Sequence, residues 1–159
     1  MHIQKVSAVH LNDIVSLTRV VQTLHEANEP RYFCPYDETA VTDFMRNALD
    51  DPSVTFLLAV NDKNPVGYAM LRVQEKPGHA FVLPRKFVEL EQIAVDPDWR
   101  KRGVGAALLD EAVRLVESLG LRDLELSVWD FNEGAQRLFE RKGFKSHLHR
   151  MRLQIPVRE

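Results

Sequence analysis

The stretch "FVELEQIAVDPDWRKRGVGAALLDEAV", residues 87–113, decides how this chain folds. Up to Val95 apolar and polar side chains alternate, as in a strand with two unlike faces. From Gly103 onward the pattern changes: Val104, Leu108, Ala112, Leu115 and Leu119 recur at helical spacing, and Gly120 suits the position just past a helix end. The join holds Arg100, Lys101, Arg102, Gly103 and Gly105. A helix start leaves backbone N–H groups without partners, and the helix dipole gathers positive potential there. Phosphate oxygens answer both needs. Glycine allows close backbone approach and angles that a Cβ forbids, and the basic side chains add charge-assisted donors. The join therefore reads as a pyrophosphate cradle. Taken alone, it reads equally well as a basic turn whose glycines serve packing.

Around this centre the chain alternates strands and helices. Residues 3–9 suggest a short strand, and "NDIVSLTRVVQTLHEAN" a helix capped by Asn12 or Asp13. After the loop "EPRYFCPY", Asp37 is expected to cap a second helix through Val41, Phe44, Met45 and Leu49. "VTFLLAV" and "VGYAMLRVQ" form a hairpin about "NDKNP". Beyond the central helix, "LRDLELSVW" is a strand, "NEGAQRLFERKGF" a short helix ending at Gly143, and "KSHLHRMRLQIPV" one or two final strands. Such an order predicts a mixed sheet with helices packed on it.

With 159 residues and no low-complexity linker, one domain is expected over 1–159. A net charge of −2 gives no basis for a nucleic-acid partner. The first 50 residues are mildly acidic, with four Lys/Arg against seven Asp/Glu. One cysteine, Cys34, excludes an internal disulfide and fits a reducing compartment. The first residues lack a signal peptide's apolar run and nothing spans a membrane, so a cytoplasmic location without a membrane partner is expected.

Two familiar phosphate motifs do not match. A P-loop needs Gly-Lys-Ser/Thr, and the dinucleotide fingerprint needs a glycine where Leu108 stands. What remains is Arg-x-x-Gly-x-Gly, Arg100 to Gly105, after "IAVDP". Together with "LELSVWDFN" and "NEGAQRLFERKGF", this run resembles the GNAT superfamily of acetyl-CoA-dependent N-acetyltransferases over residues 87–144. The resemblance implies an α/β (α+β) fold: a mixed, mostly antiparallel sheet with a V-shaped splay, flanked by about four helices. It implies acetyl-CoA as cofactor, with the pantetheine arm bonded by the backbone along Ile93, Ala94 and Val95. Its pyrophosphate would be held by the N–H groups of Arg100, Lys101, Arg102, Gly103, Val104, Gly105 and Ala106. Asn132, opening the last helix, would touch the cofactor or serve as a plain N-cap.

The implied reaction is direct attack of an amine on the thioester, which needs a base and donors for the carbonyl oxygen as it becomes an oxyanion. Glu89 and Glu91 share one face of the "VELEQIAV" strand, where the family often places its base, with Glu91 open to redirection by a bulge. Both also suit a solvated strand edge. The N–H of Ile93 is the implied partner of the thioester carbonyl. Where many relatives carry a proton-donating tyrosine, this chain has Phe139, which donates nothing and packs against cofactor or core. Tyr32, Tyr36 and His149 lack positional support as substitutes.

Tyr32, Phe33 and Tyr36 lie where the family builds its acceptor wall, with Glu29, Asp37 and Glu38 to attract a cationic amine. Cys34 reads as a small buried filler, and Met45, Met70 and Met151 as core or strand residues. His147 and His149 would share a strand face without forming a metal site. Trp99 and Trp129 read as packing. The acceptor is expected to be a small-molecule or peptide amine. A non-catalytic acetyl-CoA sensor and a nucleotide-binding protein are the rival readings. A final strand such as "MRLQIPV" could pair with another copy in a homodimer.

Overall fold

A computed structural model describes residues 1–156. The elements run β1 (His2–Lys5), α1 (Leu11–Asn28), α2 (Glu38–Asp50), β2 (Val54–Asn61), β3 (Asn64–Lys76), β4 (Arg85–Val95), α3 (Val104–Ser118), β5 (Leu124–Leu126) and α4 (Glu133–Arg141). The five strands form one sheet in chain order, antiparallel throughout except for the parallel β4–β5 pair.

Both faces of the sheet are covered, so its central strands are apolar on both sides. Leu57, Ala69, Leu71, Val88 and Leu90 pack under Val104, Leu108, Leu109 and Ala112 of α3. The alternate residues Phe56, Leu58, Tyr68, Met70 and Ala94 pack under Ile14, Val15 and Leu17 of α1 and Met45 of α2. The β2–β3 turn puts Asp62 and Lys63 at φ +47° and +72°, as a two-residue I′ hairpin requires. Asp37 caps α2, its Oδ1 accepting from the Ala40 N–H at 3.0 Å.

Two irregularities build the functional region. Met70 faces Gln92 but its neighbour Leu71 faces Leu90, so Glu91 is the extra residue of a β-bulge. β5 pairs with β4 only from Val88↔Leu124 to Leu90↔Leu126. Above that point the two strands part, and β4 from Glu91 to Val95 has one open edge. The expected V-shaped splay is present.

Several expectations need correction. α1 begins at Leu11 after a 3-10 turn, Ala8–His10, so Asn12 and Asp13 lie inside its first turn and neither is the cap. β5 has three residues because the splay removes its partner beyond Leu126. Residues 145–156 form no strand and are all exposed, Met151 included at 92%. Their apolar residues alternate as in a strand, but among the described residues no main-chain hydrogen bond pairs them with another element. His147 and His149 therefore share no strand face. Cys34 is exposed, not a buried filler, because its loop runs over the surface.

Candidate active site at the strand splay

The cradle is assembled by backbone angles. Arg100 is extended, Lys101 is left-handed at φ +58°, and Gly103 is left-handed at φ +84° as the residue before α3. Alternation of this kind turns successive N–H groups to one side, an arrangement suited to anions. Among the described residues, none of the N–H groups from Lys101 to Ala106 has a hydrogen-bond partner within the chain. The two glycines serve different ends. A Cβ at Gly103 would meet nothing within 4 Å, so that glycine is there for its φ. A Cβ at Gly105 would stand 2.8 Å from Leu138 Cδ2, so that glycine lets α3 and α4 close up. Arg100, Lys101 and Arg102 are exposed, and the Arg102 guanidinium lies 5.2 Å from the Trp99 ring centroid. The donors, the open space and the charge all fit a pyrophosphate.

The α1/α2 face of β4 carries the polar floor. Glu89 Oε2 accepts from Gln74 Nε2 at 2.8 Å. Glu91 Oε1 accepts from Arg72 Nε at 2.7 Å, and Arg72 also donates to Asp51 Oδ2 and Ser53 Oγ. Both carboxylates do lie on one face. Sequence reading missed Glu125, which the parallel register sets beside Glu89 and which pairs with Arg85. It also missed Arg72, whose position opposite Glu89 follows only from the hairpin register.

Next to the bulge, Tyr68 OH donates to Gln92 Oε1 at 2.6 Å and lies 2.8 Å from Thr18 Oγ1. Burial pushes the Tyr68 hydroxyl well above its ordinary range, so it stays protonated. The Asp51 carboxyl is held below its ordinary range, first by the hydroxyl and N–H of Ser53 and then by Arg72. A carboxyl depressed in the folded state stabilises above its unfolded pKa, near 4, and that contribution is lost as pH falls through the folded value. Asp51→Asn should therefore flatten the fall of melting temperature below about pH 4 relative to the parent, as thermal melts across pH would read.

A wall of rings closes the far side. Tyr32 and Phe33 from the α1–α2 loop meet Trp129 at 5.1 and 5.4 Å, and His25 meets Phe131 at 5.4 Å. Trp129, read as packing from sequence, is thus the link between the loop and the second arm of the V. Tyr36 stands apart: its hydroxyl donates to Val15 O at 3.1 Å under the Arg19 guanidinium. Asn132 caps α4, its Oδ1 accepting from the Ala135 N–H at 3.2 Å. Phe139 is 6% exposed and packs on Phe144 in the α3-side core. The surface hollow lined by His2, Gln4, His10 and Lys63 lies at the β1 end and shares no residue with cradle, floor or wall.

The model of the acetyltransferase (GNAT) family matches residues 21–144, a span holding cradle, floor and wall together. The chain belongs to the acetyltransferase (GNAT) family. Among curated GNAT relatives, the L-amino acid N-acetyltransferase AaaT of Escherichia coli K12 is 31% identical over 97 residues, which is 60% of this chain and 56% of AaaT. The first four curated relatives are spanned over only 23% to 56% of their length. The fold is shared with the F44R mutant of BH1408 from Bacillus halodurans, at a TM-score of 0.93 and 20% identity, covering 98% of this chain and all of that one. An aminoglycoside N-acetyltransferase, AAC(6')-Iy, crystallised with CoA, follows at a TM-score of 0.78 and 18% identity, covering 98% of this chain and 95% of its own. Among the described residues, no helix of this GNAT chain is long and apolar enough to cross a membrane.

Proposed function

We propose that the chain transfers an acetyl group from acetyl-CoA to a primary amine by direct attack while both are bound. The observation that carries this reading is the run of free N–H groups from Lys101 to Ala106 at the mouth of the splay. These groups hold the pyrophosphate, and the open edge of β4 from Ile93 to Val95 bonds the pantetheine amides as an added strand would. Bound acetyl-CoA supplies the activated acyl thioester. The N–H of Ile93 lies on the same open stretch and donates to the carbonyl oxygen as it gains charge.

Glu89 is the better base of the two floor glutamates. A carboxylate held by a guanidinium must give up a charge-assisted bond to take a proton, whereas Glu89 is held by a neutral amide. The AaaT and AAC(6')-Iy names point to amine acceptors in relatives. Here the carboxylates of Glu89, Glu91 and Glu125 and the rings of Tyr32, Phe33 and Trp129 suit an acceptor with positive charge. Phe139, buried and unable to donate a proton, favours the alternative of a CoA-binding sensor. A thiolate leaves tolerably without an acid, because a thiol pKa lies near 8.5, so water can protonate it.

Thermal shift tests the cofactor. CoA at about 100 times its Kd should add about 2.7 kcal/mol, a rise of roughly 5–10 °C for a domain of this size. NAD and ATP should give much less; equal shifts from all three would point to a nucleotide-binding protein. An amine panel followed by free-thiol release tests the reaction. Release above hydrolysis with cationic amines is expected, and none with any amine leaves the sensor.

A further inference from the structure

The bulge at Glu91 changes which side chains share a face. Glu89 and Gln92 are three residues apart, and in a regular strand an odd spacing sends side chains to opposite faces. The extra residue restores the match: Glu89 stands opposite Arg72 and Gln92 opposite Met70, two residues apart on β3. Both therefore lie on the α1/α2 face, where Glu89 meets Gln74 and Gln92 meets Tyr68, separated by two strand steps, about 7 Å. Gln92 is held from beneath. The fully buried Tyr68 donates to its Oε1 at 2.6 Å, and Thr18 Oγ1 donates in turn to the Tyr68 oxygen at 2.8 Å. Because the Tyr68 hydroxyl stays protonated, it keeps the carbonyl end of the amide and leaves the NH2 end to face outward. Among the described residues nothing accepts from Gln92 Nε2, and no buried side-chain nitrogen or oxygen lacks a partner, so this half-buried residue presents Nε2 to solvent.

We propose that Gln92 is a specificity-determining residue for the acceptor, its Nε2 donating to a neutral oxygen, a hydroxyl or an amide carbonyl, a short carbon chain away from the reacting amine. This rests on the acetyl-transfer reading and deepens it. An amide NH2 is a donor only, so the ligand atom it selects is an acceptor such as oxygen. That oxygen lies near the amine, because Gln92 stands two strand steps from Glu89 and directly precedes Ile93. It is neutral, because the floor holds the carboxylates of Asp51, Glu89, Glu91 and Glu125 against two guanidiniums, Arg72 and Arg85, and repels a further carboxylate. A plain alkyl amine would cover Nε2 with carbon and leave a desolvated donor without a partner. Tyr68 acts through Gln92 as a positioning residue: without its hydroxyl the amide can turn and present either end.

Matched amines test this on the full chain: ethanolamine against propylamine, and glycinamide against glycine, followed by thiol release from acetyl-CoA. Gln92→Leu should lower kcat/KM about 10-fold for ethanolamine and glycinamide and leave propylamine within about 2-fold. The change of that ratio between parent and variant is the readout, because the amines' own basicities cancel in it and a damaged fold would lower every rate alike. The variant strands no buried hydroxyl, since Tyr68 can then donate to Thr18, which donates to Ile14 O at 2.8 Å. Tyr68→Phe should weaken the same preference by about 3-fold. Nitrogen-15 NMR gives a readout without turnover: the side-chain amide signals of Gln92, assigned by their loss in Gln92→Leu, should move when ethanolamine is added with CoA present and stay in place with propylamine. A parent ratio that Gln92→Leu leaves unchanged overturns the proposal, as do amide signals that ethanolamine does not move. No release with any amine overturns the acetyl-transfer reading, and the amide signals then decide this one.

Discussion

Glu89→Gln is expected to lower kcat/KM by about 100- to 10,000-fold, the usual contribution of a positioned base. The isosteric amide keeps the 2.8 Å contact with Gln74 available, so the sheet should hold its shape. In the proposed reading the cofactor is bound elsewhere, by backbone groups of β4 and of the cradle, so the thermal shift with CoA should be unchanged. That split separates loss of chemistry from loss of structure. A pH–rate profile gives the second readout: the acid limb of the parent should vanish in the variant, leaving residual turnover governed by the amine's own deprotonation. Glu91→Gln should cost far less, because Arg72 retains Asp51 and Ser53 as partners. A Glu89→Gln enzyme with the parent's profile removes Glu89 from the mechanism, and an effect confined to Glu91→Gln would transfer the role to the bulged residue.

The difference between these two glutamates shows where sequence reading stops. Alternation places Glu89 and Glu91 on one face, and that much is visible in "VELEQIAV". Which of them is tied down depends on Arg72, a residue on the neighbouring strand whose partner is set by register. The turn that opens α3 was readable because it is local: strand end, left-handed glycine and helix start follow one another within ten residues. The central helix and the Asp37 cap were readable for the same reason. The aromatic wall was half readable. Tyr32 and Phe33 sit in one loop, but Trp129 and Phe131 reach them from across the fold, and only tertiary packing brings them together. The tail shows the opposite failure. Its apolar alternation follows the period of a strand, yet a strand exists only when paired, and among the described residues no element pairs with the tail.

Leu108→Ala is expected to have the largest effect on stability. The side chain is fully buried in the middle of the α3-side core, and its Cδ1 lies 3.4 Å from where a Cβ on Gly67 would stand. The room at Gly67 is tighter still, with the Ala94 carbonyl oxygen 2.8 Å and Val104 Cγ1 3.1 Å from that point, so α3 sits close down on β3 and β4. A contact this close cannot readily collapse around a missing isobutyl group, which places the loss at about 3–5 kcal/mol. For a chain of this size that is a fall in melting temperature on the order of 10 °C. Val113→Ala on the same helix is the control: at 44% exposure it should cost less than about 1 kcal/mol. Urea melts of the two variants measure the contrast. CoA should still bind the folded fraction of Leu108→Ala, because the donors are backbone groups one turn away at the helix start, and saturating CoA should recover part of the lost melting temperature. Equal costs at the two positions would mean that α3 is not seated on the sheet through Leu108. The cradle's place at the mouth of the splay would then rest on the contacts of Val104 with β3 and of Gly105 with Leu138 of α4.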